Sequence, residues 1–199
     1  RHKPPQSTQI IDSGTSISTV CRYCHPMRIV GGELSGRKIL APQNGRARPT
    51  SDRAREAIFN MLFSLGFPAG FRVVDLFAGS GALGLEALSR GAGETIFVDS
   101  DAIACRTISQ NLKALGLEGQ VIHGDAIQRL GSLNADLVLA DPPYGYDGWN
   151  ELLELADQAL VVAESGSPLA SFPGWELLRS RTYGRSVVTI LSPLETNLS

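Results

Sequence analysis

Three cysteines in 199 residues are too few for a disulfide framework, so a reducing compartment is expected. No apolar run approaches the roughly 20 residues that span a bilayer, so no membrane partner is expected. The first residues also lack the apolar core of about 7–15 residues that an export signal requires, and the expected address is the cytoplasm. Net charge is scarce too: at −2 the chain is poorly suited to coating nucleic acid indiscriminately. What is present is apolar material, 43% of the residues, enough for one well-buried domain but in too short a chain for two large ones. A monomer is expected.

The low net charge hides an asymmetry. From Arg28 to Arg55 there are seven basic residues and two acids, whereas from Glu56 onward there are eight basic and seventeen acidic, a net of −9. A basic leading segment on an acidic body suggests contact with phosphate, with a solvated charged face as the alternative. Residues 1–26 are rich in Ser, Thr, Pro and Gln and carry no periodicity. They read as a flexible extension, a mis-start or remnant, and Ser/Thr enrichment with one acid, Asp12, also resembles an organellar transit segment. Within it, Cys21-Arg22-Tyr23-Cys24-His25 spells a haem-attachment or half-zinc motif. With only Cys105, His2 and His123 left as further ligands, it reads as a chance match, and no metal is expected.

From Met27 the pattern becomes regular, and residues 27–195 are expected to form one domain, with 28–48 as an N-terminal hairpin and loop. Arg28–Gly31 and Arg37–Leu40 flank a Gly/Ser turn. Pro49 and Thr50-Ser51-Asp52 start a helix whose Ala54, Ile58, Met61, Leu62 and Leu65 share a face, and Gly66 and Pro68 stop it. Strands over 72–77, 95–98, 120–123, 136–140 and 160–163 then alternate with helices over 82–90, 102–115, 126–130 and 150–159, and 176–183 and 186–191 close as a hairpin. Strand–helix alternation implies an α/β fold: a mostly parallel, twisted, Rossmann-like sheet with helices on both faces and an antiparallel C-terminal edge hairpin. Ligands in such sheets sit beyond the C-terminal strand ends, where the strand order reverses.

Four motifs fall at those ends. Asp75-Leu76-Phe77-Ala78-Gly79-Ser80-Gly81-Ala82-Leu83-Gly84 follows a strand and opens a helix. There Gly79 permits a tight turn, Gly81 lets a ligand approach the backbone and Gly84 lets helix pack on strand. Asp99 ends the next strand and can accept from ribose hydroxyls, a feature common to nicotinamide cofactors and S-adenosylmethionine; Asp101 reads as the following helix cap. Asp125 ends the third and can accept from an adenine amine while the Ala126 N–H donates to the ring, a helix N-cap being the equal alternative.

Asp141-Pro142-Pro143-Tyr144 follows the apolar run Leu137-Val138-Leu139-Ala140. Two prolines fix φ and remove two N–H donors, leaving a rigid rim of acceptors beside an aromatic ring. An amine conjugated to an aromatic ring is a poor nucleophile, and methyl attack drives its nitrogen toward positive charge. The Asp141 carboxylate and the Pro142 carbonyl can accept its two N–H groups as that charge develops, while Tyr144 stacks on the ring. The pattern reads as a methyl transfer to a planar amine.

Beside these motifs, Arg28-Ile29-Val30-Gly31-Gly32, Gly36-Arg37 and Arg48-Pro49-Thr50-Ser51-Asp52-Arg53-Ala54-Arg55-Glu56 closely resemble the RsmD family, within the class I methyltransferases that modify exocyclic amines. The resemblance covers about Met27 to Pro193. It implies S-adenosylmethionine as cofactor and N2 of a guanine in small-subunit (16S) ribosomal RNA as target, with ribosomal RNA or the small subunit as partner. By the same resemblance Asp75, Ala78, Gly79, Gly81, Asp99, Asp125 and Ala126 hold the cofactor, Thr50 lies near its carboxylate, and Asp141, Pro142 and Tyr144 hold the guanine. Arg28, Arg37, Lys38, Arg46 and Arg48 are the expected RNA contacts. The residues alone also leave open adenine N6 or a glutamine side chain as acceptor. A nicotinamide oxidoreductase or a silent RNA-binding module fits Asp141–Tyr144 less well.

Overall fold

The computed structural model describes residues 27–42, 51–66 and 70–194. Seven strands form one sheet: β3 (Arg72–Leu76), β4 (Glu94–Asp99), β5 (Gln120–His123), β6 (Leu137–Ala140), β7 (Leu160–Ser165), β8 (Trp175–Tyr183) and β9 (Ser186–Pro193). Their order is β5-β4-β3-β6-β7-β9-β8, parallel except for β9, which runs against both β7 and β8. The order reverses between β3 and β6, so a crevice opens there beyond the strand ends.

The helices are α1 (Asp52–Ser64), α2 (Ala82–Ser89), α3 (Ala102–Leu115), α4 (Ala126–Leu130) and α5 (Trp149–Leu155). Because side chains alternate along a strand, each central strand buries both faces. Val74, Leu76, Val138, Ala140, Val161 and Ala163 pack with α4 and α5. Val73, Leu137, Leu139 and Val162 face the other way, toward Ile58, Phe59 and Leu62 of α1 and Leu83 and Ala87 of α2. Among the described residues no helix is long and apolar enough to cross a membrane.

The expected elements are present with shifted ends. β3 stops at Leu76 because Phe77 turns to φ 56°, a left-handed conformation rare for a non-glycine residue. The fifth helix ends at Leu155 rather than Ala159 and gives way to turns before β7, although Ala156 and Ala159 remain buried. α1 starts on the Ser51 side chain, which accepts the Ala54 N–H at 3.2 Å.

The N-terminal hairpin is shorter than expected. Its strands are β1 (Met27–Arg28) and β2 (Lys38–Ile39), and the residues between them turn away to dock on α2. The Val30 and Gly31 N–H groups donate to the buried Glu86 carboxylate at 2.8 and 2.7 Å, and the Glu33 N–H donates to the Ser89 carbonyl. Glu86 also accepts from Arg90 Nε at 2.8 Å. Nearby, Arg55 of α1 is completely buried and donates to the Arg28 carbonyl and to Asp52. Burial lowers the Arg55 pKa, while Asp52 and Glu86 oppose that shift.

Candidate active site

A cleft of about 1440 Å³ lies along the C-terminal strand ends, larger than the roughly 300–1,000 Å³ of a pocket for one small molecule. Its floor at the reversal point is the β3–α2 loop. There Phe77, Gly79 and Gly81 all have positive φ, so the chain folds tightly enough for the Gly81 N–H to reach the Ala78 carbonyl at 2.7 Å. Asp99, ending β4, secures this loop: its Oδ2 accepts the Gly79 N–H at 2.7 Å and its Oδ1 accepts the Asp101 N–H at 2.8 Å. A carboxylate has about four lone-pair sites, so accepting one backbone N–H on each oxygen leaves capacity toward the cleft.

Asp75 lies deeper. Only 1% exposed, it accepts the Gly84 N–H at 2.8 Å and so holds the first turn of α2 against β3. Burial pushes its carboxyl well above the ordinary carboxylate range; the Gly84 bond pulls the other way, and repulsion from Asp141 and Asp99 adds to the rise. Gly84 is glycine because a Cβ there would run into Phe97 of β4, the close helix–strand packing its motif suggests. Gly81 differs from its expectation: a Cβ would meet Ile108 and Phe97 at 3.1 and 3.3 Å, so its small size serves the core and its left-handed φ serves the turn.

Asp125 follows β5, and its Oδ1 accepts the Ile127 and Gln128 N–H groups, both at 3.0 Å. It is therefore the cap of α4, and it also lines the cleft together with the buried Ala126. On the other side of the reversal, Asp141 and Pro142 follow β6 half-buried. The Pro143 carbonyl accepts the Tyr146 N–H at 3.2 Å across a turn with Gly145 at φ 79°, the positive φ a type II turn needs at that position. Tyr144 occupies the corner of this turn and is 66% exposed. Tyr146 points inward, edge-on to Phe77 at 5.4 Å and to Trp149 at 5.1 Å, and so ties the glycine loop to the Asp141 loop. Burial raises the Tyr146 hydroxyl to about 12.

Asp75, Ala78, Gly79, Asp99, Asp125, Ala126, Asp141, Pro142 and Tyr144 therefore line one cleft, with Gly81 in the loop behind it, whereas Arg28, Arg37 and Lys38 do not line it. Thr50, Arg46 and Arg48 fall outside the described residues, as does the Cys21–His25 motif. Arg28 is paired with Asp52 at 3.1 Å. Arg37 donates to the Ala114 carbonyl at 3.1 Å, in the last turn of α3. Since α3 leaves the catalytic edge at Ala102 and rises about 1.5 Å per residue, Arg37 is anchored roughly 18 Å from that edge. Lys38 is exposed beside it and does not line the cleft.

Among the further residues that line the cleft, Tyr146, Glu164 and Arg185 did not stand out in the sequence, and Arg53 did so only within the family-like segment. Glu164 had a usable signal, because it follows an apolar β7 run just as Asp141 follows β6, and Ala140 pairs with Ala163 in register. Arg185 had no local signal. Its turn reaches the cleft because β9 is antiparallel to β7, pairing Val187 with Ser165 at the catalytic edge. Among the described lining residues, seven carboxylates face two cations, Arg53 and Arg185. Such an interior favours a cationic ligand. No group of three or more His, Cys, Asp or Glu able to hold a metal occurs among the described residues.

A family model described as conserved hypothetical protein 95 matches residues 27–192. The ribosomal RNA small subunit methyltransferase D of Escherichia coli is 37% identical over 172 residues, covering 80% of this chain and 86% of that protein. The candidate rRNA methyltransferase YlbH of Bacillus subtilis is 40% identical over 147 residues, 70% of this chain and 79% of that protein. Among solved structures, the candidate methyltransferase yhhF of Escherichia coli superposes with a TM-score of 0.74 at 32% identity, covering 85% of this chain and 98% of the other.

Proposed function

The chain belongs to the RsmD family, and from that premise we propose that it transfers a methyl group from S-adenosylmethionine to the exocyclic N2 amine of a guanine in 16S ribosomal RNA. The observation that carries this reading is the placement of Asp141-Pro142 across the strand-order reversal from the glycine loop and Asp99, in one cleft large enough for a cofactor and a base.

The cofactor supplies an electrophilic methyl group on a sulfonium. The chain's residues fit it: Asp99 offers remaining acceptor capacity to ribose hydroxyls, and the excess of carboxylates suits a positive sulfur. Asp75 acts from beneath by fixing α2, and is a positioning residue. The target amine has a delocalised lone pair, so its nitrogen must become pyramidal as it attacks. Asp141 Oδ and the Pro142 carbonyl accept its N–H groups and favour that geometry; the carboxylate stabilises the positive charge formed in the transition state. Tyr144, held out at the corner of its turn, stacks on the base and fixes the line of attack.

Glu164 supports guanine over adenine. It lies one residue before the end of β7, the strand next to β6, and lines the same cleft as Asp141, so a second carboxylate would meet the edge next to the amine. Ring N1 of guanine is an N–H donor and would bind it; ring N1 of adenine is a bare acceptor and would be repelled.

Tritium transfer from labelled S-adenosylmethionine to small-subunit ribosomal RNA, followed by nucleoside analysis, tests the assignment. Label in N2-methylguanosine is the expected result. Label in N6-methyladenosine would overturn the acceptor, and absence of transfer to both protein-free RNA and the assembled subunit would overturn the activity.

A further inference from the structure

The acidic body has a region of opposite character near its C-terminal end. Between Leu177 and Leu194 the sequence holds three arginines and no acid. These residues form the β8–β9 hairpin, with β8 at the edge of the sheet. Arg179, Arg181 and Tyr183 fall on alternate positions of β8, and with Ala57, Asn60 and Ser64 of α1 they line a second groove of about 420 Å³. Tyr183 belongs to this groove and to the catalytic cleft, which Arg185 and Arg53 also line. Arg53 starts the α1 stripe that continues through Ala57, Asn60 and Ser64, spaced for one helical face. Groove and cleft thus meet at Tyr183.

The arginines here are poorly compensated. Arg28, Arg72 and Arg90 each sit against a carboxylate. Arg179 and Arg181 instead each donate one bond to the backbone carbonyl immediately before them, at 2.7 and 3.1 Å. A guanidinium has five N–H donors arranged in a fork that matches phosphate, so most of their capacity faces the groove. Two residues apart on a strand, their side chains are about 7 Å from one another, a spacing that engages successive groups along a backbone and not one small anion.

We infer that this groove carries the single-stranded RNA next to the target nucleotide, its phosphates on Arg179, Arg181, Arg185 and Arg53 and a base against Tyr183. The inference rests on the RNA-methyltransferase reading above and adds where the substrate strand runs. Stacking on an aromatic ring and charge from arginine are the two components single-strand tracks combine, and the half-buried Tyr183 lines both the groove and the cleft. The acidic cleft interior excludes phosphate from the cofactor side, so the strand enters along the basic edge.

The test uses the full chain with Arg179→Ala/Arg181→Ala, protein-free small-subunit ribosomal RNA and S-adenosylhomocysteine as probes. Expected are an RNA affinity at least tenfold lower and a log–log salt slope shallower by about 1.4, at about 0.7 for each single-strand phosphate no longer neutralised. KM for RNA should rise while kcat at saturating RNA and S-adenosylhomocysteine affinity hold. Arg179→Lys/Arg181→Lys should restore the slope. An unchanged slope and affinity in the alanine variant would overturn the inference, and so would a lysine variant that stays as weak as alanine. A loss seen with the assembled subunit but not with protein-free RNA would overturn it in favour of a protein surface as the groove's occupant. If the unaltered chain binds RNA with the expected slope difference but transfers no methyl group, the groove stands and the methyltransferase reading fails.

Discussion

The two hairpins at opposite ends of the chain both carry arginines, yet the fold uses them differently. In the N-terminal hairpin Arg28 meets Asp52, Arg37 closes the last turn of α3, and the backbone between them is bonded to Glu86 and Ser89. In the C-terminal hairpin Arg179 and Arg181 meet no carboxylate among the described residues, and the turn at Gly184-Arg185 opens on the catalytic edge. The leading segment has the higher density of positive charge in sequence, but among its described cations Arg28, Arg37 and Arg55 are engaged in holding the molecule together. Charge counted along a chain locates basic residues; the nearest carboxylates and the edge reached by the turn decide whether they form a surface.

The largest expected effect provides a baseline that neither hairpin should influence. Asp141→Ala should lower the methyl-transfer rate by about 10²–10³, with S-adenosylhomocysteine and RNA affinities nearly unchanged, because the carboxylate acts on charge formed in the transition state. Near-normal turnover would remove Asp141 from the chemistry. Asp99→Ala should weaken S-adenosylhomocysteine by about 1.5–3 kcal/mol, measured by calorimetry, since ribose acceptors and the anchors of Gly79 and Asp101 are lost together. The RNA salt slope should not move, which would separate the cofactor half of the cleft from both hairpins.

A smaller effect concerns the frame beneath them. Asp75 holds its proton more tightly when folded than when unfolded, so its contribution to stability is complete below the unfolded value near 4 and is lost as pH rises through its raised folded value. Asp75→Asn keeps an acceptor for Gly84 and removes the charge. It should lose less stability than the unaltered chain as pH rises from acid toward neutral, measured in denaturant titrations at a series of pH values. Parallel pH profiles would show that burial does not penalise this carboxylate.

The smallest effect bears most directly on the comparison. Arg37→Ala should cost about 0.3–1 kcal/mol of stability, through the missing bond at the end of α3, and leave RNA affinity and its salt slope unchanged. A slope shallower by about 0.7–0.9 would break the contrast by showing that the N-terminal hairpin also binds phosphate.

Most of the cleft is legible in the residues alone because its signals are local. The apolar runs of β3 and β6, the glycines after Asp75 and the prolines after Asp141 restrict their own backbone, and each sits where a strand must end. The sequence by itself thereby determined the alternation of elements and the position of Asp99 and Asp141 at strand ends. It left Asp125 undecided between cap and ligand, because both roles ask for an acid at the same position. Only the tertiary structure decided that Glu86, inside a helix with no local sign of it, is buried to receive the Val30 and Gly31 N–H groups, and that Arg55 is buried beside it. It also decided that the β8–β9 turn lies over the cleft, through the pairing of β9 with β7. These outcomes depend on pairings between residues more than twenty positions apart, for which no window of neighbouring residues carries a periodicity or a turn signal.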